Sequence, residues 1–200
     1  MQQHVTDPYV RRAQALGYRS RAAFKLLEID AKDQLFSAGQ TVIDLGAAPG
    51  GWSQVAAEKV GPGGRVIGVD LLEIEPIPGV TVIRGDFTDE DVLREVEQAL
   101  GPQRADLVLS DLSPNLSGVA ATDQARTLHL CEQALDFAIS HLQPRGALLV
   151  KTFQGSGFPG FLGRARARFD RVAVRKPGAS RDRSREAYLL ARGPRPPGMA

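Results

Sequence analysis

Residues 42–55 read VIDLGAAPGGWSQV, and this stretch decides the fold. Val42, Ile43 and Leu45 around Asp44 make a short strand, Gly46, Pro49, Gly50 and Gly51 make a turn, and the chain returns to helical spacing from Trp52. A strand that passes through a glycine-rich turn into a helix opens an α/β sheet, and the missing side chains let a ligand approach the backbone. The spacing is GAAPGG, not GxGxxG. Pro49 removes a backbone donor from the turn and no basic residue stands beside it to meet a pyrophosphate, so a dinucleotide is disfavoured.

Working outward, 7–16 and 20–33 read as helices ahead of the sheet, the second with Leu26, Leu27 and Ile29 on its apolar side and Ser20 as its cap. Strands are predicted at 41–45, 65–69, 81–84, 106–110 and 147–150, and helices at 52–60, 89–100 and 123–142. This alternation predicts a parallel sheet covered by helices on both faces. The last third departs from it. After a helix at 161–169, strands at 172–175 and 187–191 are separated by PGASRDRSRE (177–186), too polar and too rich in turn formers for a crossover helix, so they must pair antiparallel. The expectation is an α/β, Rossmann-like class I methyltransferase fold: a mostly parallel seven-stranded sheet with one antiparallel strand. The tail GPRPPGMA (193–200) reads as frayed.

At 200 residues, with 42% hydrophobic and 24% charged, the chain fits one domain with a full core. One cysteine, Cys131, excludes an internal disulfide and a cysteine-built zinc site. No apolar run reaches the ~18–20 residues that span a bilayer, and the start MQQHVTDPYVRRAQ lacks an apolar signal core, so a cytoplasmic location is expected. The net charge of +2 hides an asymmetry: residues 1–25 carry +4, residues 164–195 carry +8, and the stretch between carries −10. Basic ends around an acidic middle suit an enzyme that binds a polyanion and a cationic cofactor.

Open α/β sheets bind ligands beyond the carboxyl ends of their strands. There, Asp70 lies 24 residues after Gly46, placed to accept both ribose hydroxyls of an adenosine, and Asp86 follows in RGDF, placed for an adenine amino group. An acid-lined adenosine pocket without a phosphate site fits S-adenosylmethionine, whose sulfonium and ammonium are cationic; Trp52 is expected to cover one face of it. Asp89 and Asp123 read as helix caps or turn formers.

The fourth strand ends in SDLSPN, putting Asp111 opposite the sulfonium, and the fifth ends in LLVKTF, putting Lys151 at the neighbouring mouth. A lysine that finishes a buried apolar strand is unusual. Lys25 alone reads as a helix-surface lysine and Glu186 alone as a partner for Arg183 or Arg185. Two ammonium groups and two carboxylates in one cleft can take a proton from an alcohol, because one lysine beside another is pushed toward its neutral form. The expected alcohol is a ribose hydroxyl.

The runs SRAAFKLLEID, VIDLGAAPGGWSQV, SDLSPNLSG, LLVKTFQG and RKPGASRDRSREAYLLA resemble those of the FtsJ/RrmJ (RlmE) family of ribosomal RNA 2′-O-ribose methyltransferases, over about residues 7–192. The resemblance implies that Lys25, Asp111, Lys151 and Glu186 form the family's catalytic tetrad, with Lys151 as proton acceptor. It implies S-adenosylmethionine contacts at Gly50, Trp52, Asp70, Asp86 and Asp111, and no metal. The implied substrate is a uridine ribose in large-subunit ribosomal RNA within the assembled subunit, the chain acting as a monomer away from membranes. Arg11, Arg12, Arg19 and the arginines from Arg164 to Arg185 are expected to hold phosphates. Three other readings stay open: a transfer-RNA or messenger-cap 2′-O-methyltransferase, a nicotinamide oxidoreductase, and a non-catalytic ribosome-assembly factor.

Overall fold

The computed structural model describes residues 8–114, 117–180 and 184–195. Two helices, α1 (Pro8–Ala15) and α2 (Ala22–Asp33), precede β1 (Thr41–Leu45). Then follow α3 (Gly51–Val60), β2 (Arg65–Asp70), β3 (Val80–Arg84), α4 (Glu90–Leu100), β4 (Ala105–Ser110), α5 (Ala120–His141) and β5 (Leu142–Phe153). The chain closes with α6 (Phe158–Arg168), β6 (Phe169–Arg175) and β7 (Glu186–Pro194). The strand order is β3-β2-β1-β4-β5-β7-β6, and β7 runs antiparallel to both neighbours while the other pairs are parallel. The hairpin expected from 177–186 is therefore present, with its second strand inserted between β5 and β6.

Period-two alternation sorts the strands between two cores. Ile43, Leu45, Val108, Leu148 and Val150 face α4, α5 and α6, while Val42, Leu107, Leu109 and Leu149 face α2 and α3. Helix α4 shows the matching helical spacing, burying Val92, Val96 and Leu100 at intervals of four. The same parity decides the site: Asp111 continues the face of Leu109, Lys151 that of Leu149, and Glu186 and Tyr188 that of Leu190. All four project toward the side carrying α2.

Three expectations change. Ser20 is not the cap of α2; Arg21 occupies that position with no side-chain cap bond, and Ser20 packs instead against Gly51, where any side chain would collide with its hydroxyl. Strand β5 begins at Leu142 rather than 147, because the half-buried Gln143 and the exposed Pro144 and Arg145 interrupt the apolar pattern without interrupting the backbone. The frayed tail does not start at 193: Gly193 and Pro194 belong to β7, and Arg195 donates its N–H to Arg168 O at 2.8 Å. Residues 196–200 lie outside the described residues.

Candidate active site

Lys25 lies on α2 and Glu186 starts β7, 161 positions apart in sequence, yet Lys25 Nζ stands 2.7 and 2.8 Å from the two carboxylate oxygens of Glu186. Lys151, at the end of β5, donates from Nζ to Asp111 O at 2.8 Å and stands 2.9 Å from Asp111 Oδ1. Each ammonium is thus tied to a carboxylate, and both lysine side chains are only 8% exposed. A lysine this buried is retained where it is paired.

Tyr188, which in the sequence is only one residue of the 187–191 strand, joins the two pairs. Its hydroxyl lies 3.4 Å from Asp111 Oδ1 and 3.3 Å from Glu186 Oε1, its ring is fully buried, and Lys25 Nζ stands 5.9 Å from the ring centroid. Burial, followed by the charges of Asp111 and Glu186, raises its phenol well above the usual range, so it remains a donor between two acceptors. The available signal was its position two residues after Glu186, which puts both side chains on one face of β7. Burial pushes the Glu186 carboxyl up, but hydrogen bonding and charge from Lys25, with Ser180, outweigh it and hold the group below the usual carboxylate range. Ser180 Oγ donates to Glu186 Oε1 at 2.8 Å.

Asp44 lies one layer below, fully buried under the glycine turn. Burial raises its carboxyl to about 7; the Ser53 hydroxyl, donating to Oδ2 at 2.6 Å, opposes this, and the charges of Asp111 and Asp70 add to it. Its Oδ1 has no partner among the described residues. Cys131 donates from Sγ to Lys151 O at 3.1 Å, with burial raising its thiol to about 11. It anchors the strand end that carries the lysine and is not itself a nucleophile.

Next to the tetrad and sharing Asp111 with it is a cavity of about 500 Å³ at the carboxyl ends of β1, β2, β3 and β4. Gly46, Asp70 and Asp86 line it, with Leu112, Phe87 and Leu130 as apolar walls. Gly46 has φ +78, and a Cβ there would come within 2.8 Å of Leu112, so glycine is required twice over. The Asp70 oxygens accept the N–H groups of Ala48 at 2.9 Å and Leu72 at 2.8 Å, which fixes the carboxylate while each oxygen keeps a further acceptor site. Asp86 Oδ1 accepts both the N–H and the hydroxyl of Thr88, at 2.9 and 2.7 Å, leaving Oδ2 for a ligand. Three carboxylates and apolar walls for a purine fit the adenosine and cationic tail of S-adenosylmethionine, with Arg126 and His129 of α5 completing the lining.

Two residues expected at the cofactor do not line this cavity. The Trp52 side chain does not cover this cavity: it is 3% exposed, its Nε1–H donates to Ala22 O at 2.8 Å, and its ring packs on Tyr188. The indole faces α2 because residue 52 opens α3 on the side that packs there; what Trp52 has left for a ligand is its backbone N–H in the first helical turn. Gly50, at φ +110, lies beneath Ile77 and Arg19, and a Cβ there would strike Ile77 at 2.5 Å. Asp123 secures the loop before α5, accepting the N–H and hydroxyl of Ser117 at 2.7 Å each, while Asp89 stands at the start of α4 with no side-chain cap bond.

Several arginines expected to hold phosphates are committed within the protein. Arg19 donates to Pro49 O, Glu75 O and Pro76 O, clamping the loop that covers Gly50. Arg164 pairs with Glu132 and Asp136, and Arg175 with Asp33. Arg11 and Arg12 are exposed on α1, with the Arg12 guanidinium 5.0 Å from the Phe24 ring centre. Arg181 and Arg183 lie outside the described residues. Among the described residues, no cluster of His, Cys, Asp and Glu is arranged to hold a metal, and no helix is long and apolar enough to cross a membrane.

Known proteins resemble this chain in sequence and in fold. A protein of Thiobacillus denitrificans named ribosomal RNA large subunit methyltransferase E is 58% identical over 194 residues, 97% of this chain and 88% of that protein. Its namesake in Dechloromonas aromatica is 56% identical over 192 residues, 96% of this chain and 94% of the other. A crystal structure from Plasmodium falciparum, described as that of a ribosomal RNA methyltransferase, superposes with a TM-score of 0.79 at 27% identity, covering 88% of this chain and 98% of that one. The sequence pattern of FtsJ-like methyltransferases matches residues 18–194, a span that contains the tetrad and the acid-lined cavity together. The chain belongs to the FtsJ-like methyltransferase family, whose methyl donor is S-adenosylmethionine.

Proposed function

We propose that this protein methylates the 2′-hydroxyl of a uridine ribose in large-subunit ribosomal RNA, acting as a monomer on the assembled subunit in the cytoplasm. The observation that carries the reading is the shared position of Asp111, which lines the acid-rich cavity and also holds Lys151. When bound, S-adenosylmethionine supplies an electrophilic methyl group on its sulfonium. Asp70 and Asp86 are the side chains suited to hold its adenosine, and Asp111 to face its cationic end. Lys151 is the group suited to accept the hydroxyl proton, which a lysine does only as a neutral amine. Asp111 orients Lys151 and Glu186 orients Lys25, and Tyr188 keeps the two carboxylates in register. The rate then comes from alignment of nucleophile and methyl and from proton removal, with no metal invoked. The names of the bacterial relatives support a large-subunit substrate.

Mass-spectrometric mapping of ribose methylation in ribosomal RNA, from cells with and without the gene and from cells carrying Lys151→Ala, tests this. One 2′-O-methyl uridine in the large-subunit RNA should vanish in both altered strains. An unchanged large-subunit RNA, or a loss confined to transfer RNA, would overturn the assignment.

A further inference from the structure

Beside the acid-lined cavity lies a second one, of about 360 Å³, for which methyl transfer as described has no use. Its walls continue three members of the tetrad along the chain. Ser113 and Pro114 follow Asp111, Phe153 follows Lys151 by one step of strand alternation, and Arg185 precedes Glu186. Gln124 of α5 closes the remaining side. Ser113 and Pro114 line both cavities, so the two meet at that loop. Phe153 is held in place by pairing with Glu186 across β5 and β7, and Gln154 N–H donates to Arg185 O at 2.9 Å.

The lining has the chemistry of a site for a flat, polar-edged ring. The half-buried Phe153 ring and Pro114 supply apolar faces. The Gln124 carboxamide reaches Ser156 Oγ only at 3.4 Å, leaving a donor and an acceptor side by side. Among the described residues, Arg185 is the one cation in the lining, and it is exposed at the rim. Asp123 is not part of this reading, since Ser117 and Gly118 already donate to its carboxylate.

We propose that this cavity holds the base of the nucleotide being methylated, stacked on Phe153 with its hydrogen-bonding edge toward Gln124 and an adjoining phosphate against Arg185. The inference rests on the function proposed above and deepens it. A base in this position brings its own ribose toward the shared Ser113–Pro114 loop, which follows Asp111 directly along the chain, and so toward Asp111 and the Lys151 paired with it. The volume is within the range of small-molecule sites, and stacking on an aromatic side chain is the usual way a protein holds a base drawn out of a single strand.

The test uses the full chain, labelled S-adenosylmethionine, and large ribosomal subunits from cells lacking the gene. Phe153→Ala should lower kcat/KM for subunits about ten- to a hundredfold, the effect of losing one stacked base, with calorimetric affinity for S-adenosylmethionine unchanged. Phe153→Tyr, which keeps the ring, should recover most of the loss, whereas Phe153→Leu, which keeps the apolar bulk, should not. Gln124→Ala should lower the same ratio by about two- to tenfold, as for one hydrogen bond. Equal recovery by Leu and Tyr would make Phe153 a packing residue and overturn the site. So would Phe153→Ala within twofold of wild type while wild type is active. A wild-type protein that transfers no methyl to subunits would instead overturn the function on which the site depends.

Discussion

Replacing Glu186 by Gln isolates what the Lys25–Glu186 pair contributes. The two side chains are 8% and 12% exposed, both carboxylate oxygens stand within 2.8 Å of Lys25 Nζ, and Ser180 and Tyr188 supply the other contacts of Glu186. Glutamine keeps the volume and one acceptor oxygen but leaves a buried ammonium without a counter-charge, which costs about 3–5 kcal/mol. Lys25→Met leaves the carboxylate two hydroxyl donors, so its cost falls nearer about 1–3 kcal/mol. The double variant Lys25→Met with Glu186→Gln buries no charge and should regain most of the loss, coming within about 1 kcal/mol of wild type. Urea unfolding of the four proteins, with matching denaturant slopes, measures the coupling. Methyl transfer should stay low in all three variants. Because the Glu186 carboxyl is held below the usual range, the pair stabilises above the ordinary carboxylate pKa of about 4.3. That contribution disappears as pH falls through the lowered folded value, so wild type and Glu186→Gln should converge in acid. A single-variant cost under about 1 kcal/mol, or strict additivity in the double, would show that solvent serves these charges and would refute the reasoning.

Three further outcomes follow from the same geometry. Lys151→Ala should keep cofactor affinity but slow single-turnover methyl transfer by about 10² to 10⁴-fold; a rate within tenfold of wild type removes Lys151 as proton acceptor. Asp70→Ala should weaken S-adenosylmethionine by about 1–3 kcal/mol in calorimetric titration, together with some loss of stability because Ala48 and Leu72 lose their acceptor. Asp44, raised to about 7, keeps its proton in the folded state below that pH, so its stabilising contribution is complete below the unfolded carboxylate value and is lost as pH rises through about 7. Asp44→Asn in the ligand-free protein should therefore flatten the decline in urea midpoint between pH 5 and 8, and an unchanged slope would show that Asp44 is ionised throughout.

The architecture was legible because its signals are local and periodic. The glycine turn at 46–51 and the polar 177–186 segment each admit one reading, and the structure bears out both the parallel sheet and the antiparallel closure. Site residues at strand ends were legible for the same reason, since position on an α/β sheet already states where Asp70, Asp111 and Lys151 must point. What failed to show was contact across the chain. Tyr188 reads as one more apolar strand residue in EAYLLA until β7 is seen to pair with β5, which sets Tyr188 opposite Lys151. The Trp52 indole differs in the other direction: its closeness to the glycine turn suggests a ring over the ligand, but the start of α3 turns that ring toward Ala22. Ser20 had the composition of a cap and became a packing partner, because Gly51 leaves a gap that only a small side chain can enter.

The charge asymmetry takes a different meaning once these partners are known. Along the chain, +4 and +8 ends flank a −10 middle, which by itself suggests two basic arms. In the fold, Arg164 and Arg175 neutralise Glu132, Asp136 and Asp33, all acids of that middle stretch carried on α2 and α5. Lys59 does the same for Asp30. The Arg175–Asp33 pair ties α2 to β6, while Arg164 ties α6 to α5 and Lys59 ties α3 to α2, and none of these paired acids lines the cavity, where Asp70, Asp86 and Asp111 stand. Attraction for a polyanion and attraction for a cationic cofactor are thereby separated in space, which one net charge of +2 could not reveal. Among the described residues, Arg185 is exposed at the rim of the smaller cavity and Arg11 and Arg12 are exposed on α1; on the function proposed above, these are positions where RNA phosphate would be met.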